Sequence, residues 1–185
     1  MTVTISIYKK SVLILILLLP ILSYGQTSKQ DSIWKPFQCF IGDWTGKGGG
    51  EPGEGTYERS YKFIFNKKYI EVKNKSVYPP TKDNPNGEIH EDIGYISFDK
   101  TRNIFVLRQF HKEGFVNQYK QDTISTDGKR IVFISEAIEN IKTGWRAKET
   151  YQIFGESEIS ETFELAPPQK DFEIYSKVLL KKKNR

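Results

Sequence analysis

From residue 42 onward the chain alternates apolar and polar residues with a period of two, in short runs rich in aromatic and β-branched side chains. This alternation puts every second side chain on one face, which is typical of β-strands with one buried face. The runs are separated by short turns, such as Asp127-Gly128. We predict ten strands, at residues 43–50, 56–65, 69–77, 88–98, 103–110, 114–121, 130–137, 144–154, 158–166 and 172–181.

One segment before these strands has a different period. Its apolar residues recur at helical spacing, at Trp34, Phe37, Phe40 and Ile41. Asp31 or Ser32 stands where a helix N-cap is expected. The pattern predicts one short helix over residues 31–41.

Ten strands joined by short turns indicate an up-and-down meander. An open sheet of this size would expose two unpaired edges, whereas closure removes both and leaves room for one small ligand. We therefore predict an all-β fold, a closed or nearly closed antiparallel barrel of about ten strands, capped at one end by the helix. A β-sandwich is the rival, but it needs long connections between sheets, and only the proline-containing loop at 79–87 is a candidate.

The first 25 residues resemble a secretory leader. Lys9 and Lys10 precede a short aliphatic run, and Ser23-Tyr24-Gly25 has small residues at its first and third places. We predict a signal peptide at 1–25, a leader and capping helix at 26–41, and a ligand-binding barrel at 42–185. The apolar run is too short for a typical membrane span, so the alternative of an uncleaved anchor is disfavoured. The predicted location is secreted or periplasmic, with no stable membrane span after cleavage.

Charge and cysteine content narrow the choice of partners. The formal net charge is +5, and loss of Lys9 and Lys10 would leave 5 − 2 = +3. So small an excess predicts solubility and no nucleic-acid partner. The single cysteine, Cys39, excludes an internal disulfide, so the hydrophobic core must supply the stability.

The first strand carries an unusual pattern on its even positions, which are Trp44, Gly46, Gly48 and Gly50. Its odd positions are mostly polar, so the even face points inward. Alternating glycines mark either a sharp bend that closes the barrel or a hollow in which a flat ligand lies against the backbone. Three in succession favour the hollow, and we take these four residues as ligand-binding candidates.

Few residues are suited to catalysis. His90 lies in an acidic cluster, where it is either a pocket residue or a surface imidazole paired with a carboxylate. His111 is interpreted as a turn residue. Glu158, Glu161 and Glu164 are interpreted as solvated carboxylates. The chain has too few His and Cys residues for a zinc site, and it has no nucleophile motif, so a binding protein is favoured over an enzyme.

Two motifs resemble those of a known family, the nitrobindin-like β-barrels, which belong with lipocalins and fatty-acid-binding proteins in the calycin group. The first motif is Gly42-x-Trp44-x-Gly46-x-Gly48-x-Gly50, which is similar to the family's opening strand. The second is Ile89-His90-Glu91-Asp92-Ile93-Gly94-Tyr95, where the family has apolar, His, any, acidic, any, Gly, aromatic. Their order and spacing agree over nearly all of residues 37–182.

The resemblance implies a ten-stranded barrel with a ferric haem pocket and, in some members, reaction with nitric oxide or peroxynitrite. The family's proximal haem ligand is a His on the last strand, but residues 172–178 of this chain contain none. The position falls on Ile174 or Tyr175, depending on register. An inward Tyr175 could ligate iron as a tyrosinate, whereas Ile174 could not.

These observations predict an exported barrel that binds a small hydrophobic or planar ligand, with haem as the candidate cofactor. The site residues would be the four of the first strand together with His90 and Tyr175, and Tyr175 would be the metal ligand if haem binds. One alternative is a haem-dependent peroxynitrite isomerase or nitric-oxide-reactive protein. Another is a filled barrel that acts only as an interaction or structural module. The oligomeric state is left open.

Overall fold

A computed structural model describes residues 32–82 and 84–184. The predicted signal peptide, its cleavage site and the proposed cap at Asp31 lie outside these residues. The described chain is all-β, a closed barrel of ten antiparallel strands in which each strand pairs with its neighbours in sequence. The predicted fold class is confirmed.

The strand boundaries all lie within three residues of the predicted ones. The strands are β1 Gly42–Gly50, β2 Gly55–Ile64, β3 Tyr69–Tyr78, β4 Glu88–Asp99, β5 Ile104–His111, β6 Val116–Ile124, β7 Arg130–Glu139, β8 Arg146–Ile153, β9 Glu158–Ala166 and β10 Glu173–Lys182. Alternation placed them correctly because one face of every strand is buried in the interior of the barrel. Within the described residues no helix is long and apolar enough to cross a membrane.

Closure occurs between the first and last strands. β1 pairs with β10 from Trp44 opposite Lys182 to Gly50 opposite Ser176, and it pairs with β2 on its other side. A Cβ atom on Gly48 would lie 2.1 Å from the Lys177 carbonyl oxygen, and the same conflict recurs at Gly46 and Gly50. Since β10 backbone occupies the space of these missing side chains, the alternating glycines allow the seam of the barrel to close.

The helix before β1 differs from the predicted one. It is a 3-10 helix spanning Lys35–Phe40, with Pro36 in its first turn and Trp34 at the N-cap making no side-chain capping bond. The apolar residues Trp34, Phe37 and Phe40 are spaced by three, which is the period of a 3-10 helix and puts all of them on one side. The same spacing also fits the longer helix that the sequence predicts over residues 31–41, and the structure has the shorter 3-10 helix instead.

That apolar side fills one end of the barrel. Trp34, Phe37 and Phe40 are each 1% exposed and pack in the core against rings from the barrel wall. The Phe37 and Phe105 ring centroids are 4.7 Å apart, and those of Phe40 and Tyr151 are 5.4 Å apart. We call this end the closed end. The opposite end, where β2, β4, β6, β8 and β10 begin, is the open end.

Candidate functional site

A cavity of about 350 Å³ occupies the open end of the barrel. This volume lies within the range of sites that take small organic molecules. Its walls carry an aromatic rim, which comprises Tyr57, Tyr78, Phe115, Trp145, Phe163 and Tyr175. Deeper in the barrel it has a polar floor, which comprises Arg59, Asn74, Asp92, Gln109, Asn117, Glu149 and Glu161.

An ion pair crosses the polar floor. Arg59 Nη2 lies 2.6 Å from Glu161 Oε1, and Arg59 Nε donates to both carboxylate oxygens of Glu161. Arg59 Nη1 donates to the carbonyl oxygens of Glu58 and Lys75. A buried pair of this kind holds its geometry because each lost contact would leave a charge uncompensated in a medium of low dielectric constant.

Asp92 lies beside this pair. Its Oδ1 accepts hydrogen bonds from Asn74 Nδ2 at 2.8 Å and from Gln109 Nε2 at 3.4 Å. Burial raises the pKa of Asp92 to about 7, although the charge of Arg59 and the Asn74 hydrogen bond act in the opposite direction. Asp92 is therefore a carboxyl group whose charge changes near neutral pH.

Glu149 is a second buried acid of the floor and, like Glu161, is 7% exposed. Burial, and then the negative charge of Glu161, raise its pKa well above the ordinary value. Its Oε2 atom is buried and has no hydrogen-bond partner among the described residues. A protonated Glu149 would be a hydrogen-bond donor, whereas an ionised one would need a cation or several donors beside it.

Four acceptor oxygens in the floor have no donor within the described part of the chain. They are Asn74 Oδ1, Gln109 Oε1, Asn117 Oδ1 and Glu149 Oε2. The amide nitrogens of the three amides are all engaged, with Asp92 or, for Asn117, with His111 and Tyr119. Because buried polar atoms are nearly always satisfied in folded proteins, the cavity needs donors from a molecule that enters it.

Both histidines line the cavity. The His90 ring lies between two carboxylates, with Nδ1 hydrogen-bonded to Glu113 at 2.7 Å and Nε2 3.0 Å from Glu88 Oε1 without a hydrogen bond. The two interpretations of His90 are thus compatible, since it faces the pocket and is also paired. His111 lies flat against Phe115, with ring centroids 4.0 Å apart, and burial lowers its pKa to about 4.

Tyr175 faces the cavity because of a bulge in β10. Ile174 pairs with Glu164 and Ser176 pairs with Phe163, which leaves Tyr175 as the extra residue. A bulge of this kind changes the direction of a side chain, and here Ile174 is 60% exposed while Tyr175 lies 5.6 Å from the Phe163 ring. Burial raises the pKa of Tyr175, and the electrostatic effects of Tyr78 and Glu88 raise it further.

The structure brings two of the six predicted site residues into this cavity, His90 and Tyr175. Trp44 is instead fully buried towards the closed end, where its indole N–H donates to the Phe40 carbonyl at 2.7 Å. The inward side of Gly46, Gly48 and Gly50 lies against β10. These four residues of β1 do not line the cavity.

Sequence reasoning missed the charged residues of the floor. The interpretation of Glu161 as a solvated carboxylate is wrong, because this residue is 7% exposed and paired with Arg59. The sequence does contain a pattern that indicates buried charges. Arg59, Glu149 and Glu161 each interrupt a run of apolar residues on the inward face of a strand. Those runs are Tyr57-x-Arg59-x-Tyr61, Ala147-x-Glu149-x-Tyr151 and Ile159-x-Glu161-x-Phe163.

Among solved structures, the chain is similar to the crystal structure of Rv2717c from M. tuberculosis. The TM-score is 0.64 at 16% sequence identity, and the match covers 82% of this chain and 98% of that one. At this identity the likeness shows the shared fold. No protein-family model matches the chain, and no curated protein matches it either.

Proposed function

We propose that this protein is a small-ligand-binding barrel whose ligand occupies the cavity at the open end. The observation that carries the proposal is the contrast between the two ends of the barrel. The closed end is filled by Trp34, Phe37 and Phe40, whereas the open end holds a cavity that combines aromatic walls with a polar floor. Enclosed sites with apolar walls and a few convergent polar groups are characteristic of ligand binding.

Two further features support the proposal. The floor is held by the Arg59–Glu161 pair and by the hydrogen bonds to Asp92, so its groups are positioned before any ligand enters. Preorganisation of this kind lowers the cost of binding. The cavity also argues against the alternative of a wholly filled barrel that acts only through its surface.

Haem, the candidate cofactor of the resembling family, is poorly matched by the donors of this cavity. Tyr175 is placed on the wall, but its raised pKa opposes the tyrosinate form that would ligate iron. His90 Nδ1 is hydrogen-bonded to Glu113, His90 Nε2 lies 3.0 Å from a Glu88 carboxylate oxygen, and His111 Nε2 lies 3.1 Å from Asn117 Nδ2. Haem binding therefore rests on the resemblance alone and is not part of this proposal, and the peroxynitrite and nitric-oxide chemistry depends on it.

We also propose that the protein is exported. The leader at 1–25 predicts that the barrel works in the periplasm or outside the cell, and the chain beyond it is predicted to have no stable membrane span. The ligand would then be a small molecule met outside the cytoplasm.

The proposal is tested by titrating the purified protein with the neutral dye prodan and recording its fluorescence. We expect a saturable one-to-one increase in emission. Ser176→Trp places a large ring in the cavity and should abolish this increase. Ser157→Trp, in the exposed turn at the closed end, is the matched control and should keep it. If prodan binds equally to both variants, or if neither prodan nor the three phenyl ligands described below bind, the proposed cavity is not a ligand site.

Ferric haem is titrated in parallel, with the visible spectrum as the readout. A saturable Soret shift that is lost in Tyr175→Phe would establish a tyrosinate haem site and would justify assays with peroxynitrite. We expect no such shift.

A further inference from the structure

The polar floor also indicates the chemical class of the ligand, an inference that rests on the proposed function. We propose that the cavity selects a small organic cation, a primary ammonium group attached to an aromatic or apolar body. The ammonium would lie against the acceptors of the floor, and the body would lie within the aromatic rim.

The first argument is hydrogen-bonding capacity. Asn74, Gln109, Asn117 and Glu149 each present a buried acceptor oxygen that has no donor among the described residues. Gln109 and Asn117 are 3% and 2% exposed, so bulk water does not reach them freely. An ammonium group offers three donors and no acceptor, which complements these unsatisfied acceptor oxygens. A carboxylate or phosphate ligand would add acceptors to a floor that already has too many.

The second argument is charge. Four carboxyl groups line the cavity, those of Asp92, Glu113, Glu149 and Glu161, together with one guanidinium, that of Arg59. Arg59 is committed to Glu161 and to the carbonyl oxygens of Glu58 and Lys75, so it is not free to hold an anion. Asp92 and Glu149, unlike Glu161, form no ion pair with a cation among the described residues. A bound cation would offset the free-energy cost of burying their charges.

The third argument concerns the rim. Its six rings line the same cavity as the floor. The faces of tyrosine, tryptophan and phenylalanine attract organic cations and also bury the apolar body attached to them. A metal ion would gain nothing from these rings. In addition, no group of three His, Cys, Asp or Glu side chains in the described chain is arranged to hold one.

The test compares three ligands of matched shape by isothermal titration calorimetry at neutral pH. They are 2-phenylethylammonium, 2-phenylethanol and 3-phenylpropanoate, which carry a cation, a neutral hydroxyl and an anion on similar bodies. We expect the ammonium ligand to bind at least tenfold more tightly than the alcohol, and the carboxylate to bind most weakly. Equal affinities, or a preference for the alcohol or the carboxylate, would overturn the inference.

A variant of Glu149 tests whether the polar floor causes the preference for the ammonium ligand. Glu149→Gln keeps the shape of the side chain but removes its capacity for negative charge, so the ratio of ammonium to alcohol affinity should fall at least fivefold. Glu164→Gln is the matched control, since Glu164 lies on the outer face of β9 and pairs with Lys148 at 2.7 Å. An unchanged ratio in Glu149→Gln would contradict the assignment, and circular dichroism verifies that each variant is folded.

The comparison with prodan separates the two proposals. If prodan binds and is blocked by Ser176→Trp, but the ammonium ligand is not preferred or does not bind, the cation inference fails and the ligand-binding function stands. If neither prodan nor any of the three phenyl ligands binds, both fail. The wild-type comparison decides the inference even if a variant does not fold.

Discussion

Arg59 on β2 and Glu161 on β9 are 102 residues apart in sequence, yet Arg59 Nη2 lies 2.6 Å from Glu161 Oε1 inside the barrel. The strands β1 and β10 lie between them in the wall. The pair therefore joins two sides of the barrel across the seam where the chain closes. It also sets the boundary between the filled closed end and the cavity.

Loss of one member of this pair should be far more harmful than loss of both. Arg59→Met leaves the Glu161 carboxylate buried without its cation, and we expect the free energy of unfolding to fall by about 3–5 kcal/mol. The double variant Arg59→Met/Glu161→Leu should be more stable than Arg59→Met alone. Reversible urea denaturation followed by circular dichroism measures both, and strictly additive effects would contradict the predicted coupling.

Asp92 should make the protein less stable as the pH rises. Its pKa in the folded state is about 7, against an ordinary value of 3.8, so the folded protein holds a proton that the unfolded chain has lost. The free energy of unfolding should therefore fall as the pH rises from about 4 to about 7. Glu149 acts with the same sign, and Arg59 and Glu161 face both acids.

The variant Asp92→Asn should weaken this pH dependence while it keeps an acceptor for Asn74 and Gln109. Melting temperatures measured from pH 4 to pH 8 should show the variant gaining stability relative to the wild type as the pH rises. Glu91→Gln, the outward-facing neighbour on β4, is the control. A constant difference between Asp92→Asn and the wild type across this range would contradict the assignment.

His111 should act with the opposite sign. Burial lowers its pKa to about 4, against an ordinary value of 6.5, although the charge of Glu113 acts against this shift. Between these values only the unfolded chain binds the proton, so stability should decrease as the pH falls from about 6.5 to about 4. Nuclear magnetic resonance titration of the ring protons tests the cause directly. A His111 signal that titrates near pH 6.5 would show that the ring is not desolvated.

The seam between β1 and β10 should not tolerate a side chain at its glycines. In Gly48→Ala the new Cβ would lie 2.1 Å from the Lys177 carbonyl oxygen and 2.7 Å from the Val178 Cα. We expect a loss of about 3 kcal/mol or a failure to fold, because backbone atoms on both strands must move. Gly155→Ala, which has no atom within 4 Å of its Cβ, is the control and should change stability little.

The strands could be predicted from sequence because one face of each strand in a barrel points into the interior and the other points outward. Apolar and polar residues therefore alternate along the chain. The 3-10 helix could be located but not classified, since Trp34, Phe37 and Phe40 suit either helical period over so short a segment. The β10 bulge is a local departure from alternation. Without the pairing partners of Ile174 and Ser176, nothing in the sequence decides that Tyr175 faces inward.

The floor of the cavity was harder to predict because its charges contradict the usual rule that charged side chains are exposed. The burial of Arg59 is compensated by Glu161 and the burial of Glu161 by Arg59. The two side chains meet only because the sheet curves into a closed barrel. A charge that interrupts an apolar run on the inward face is the sequence signal for such a pair. This signal identifies a buried charge without identifying its partner.

The pairing of β1 with β10 also determines when the protein can finish folding. The hairpins between consecutive strands join residues close in sequence, whereas Trp44 opposite Lys182 is among the most distant contacts that the chain can make. Contacts this distant form slowly because a long loop must close before they are gained. β10 must leave the ribosome before the barrel can close, so a nascent chain carries an unpaired edge on β1 until β10 has been made.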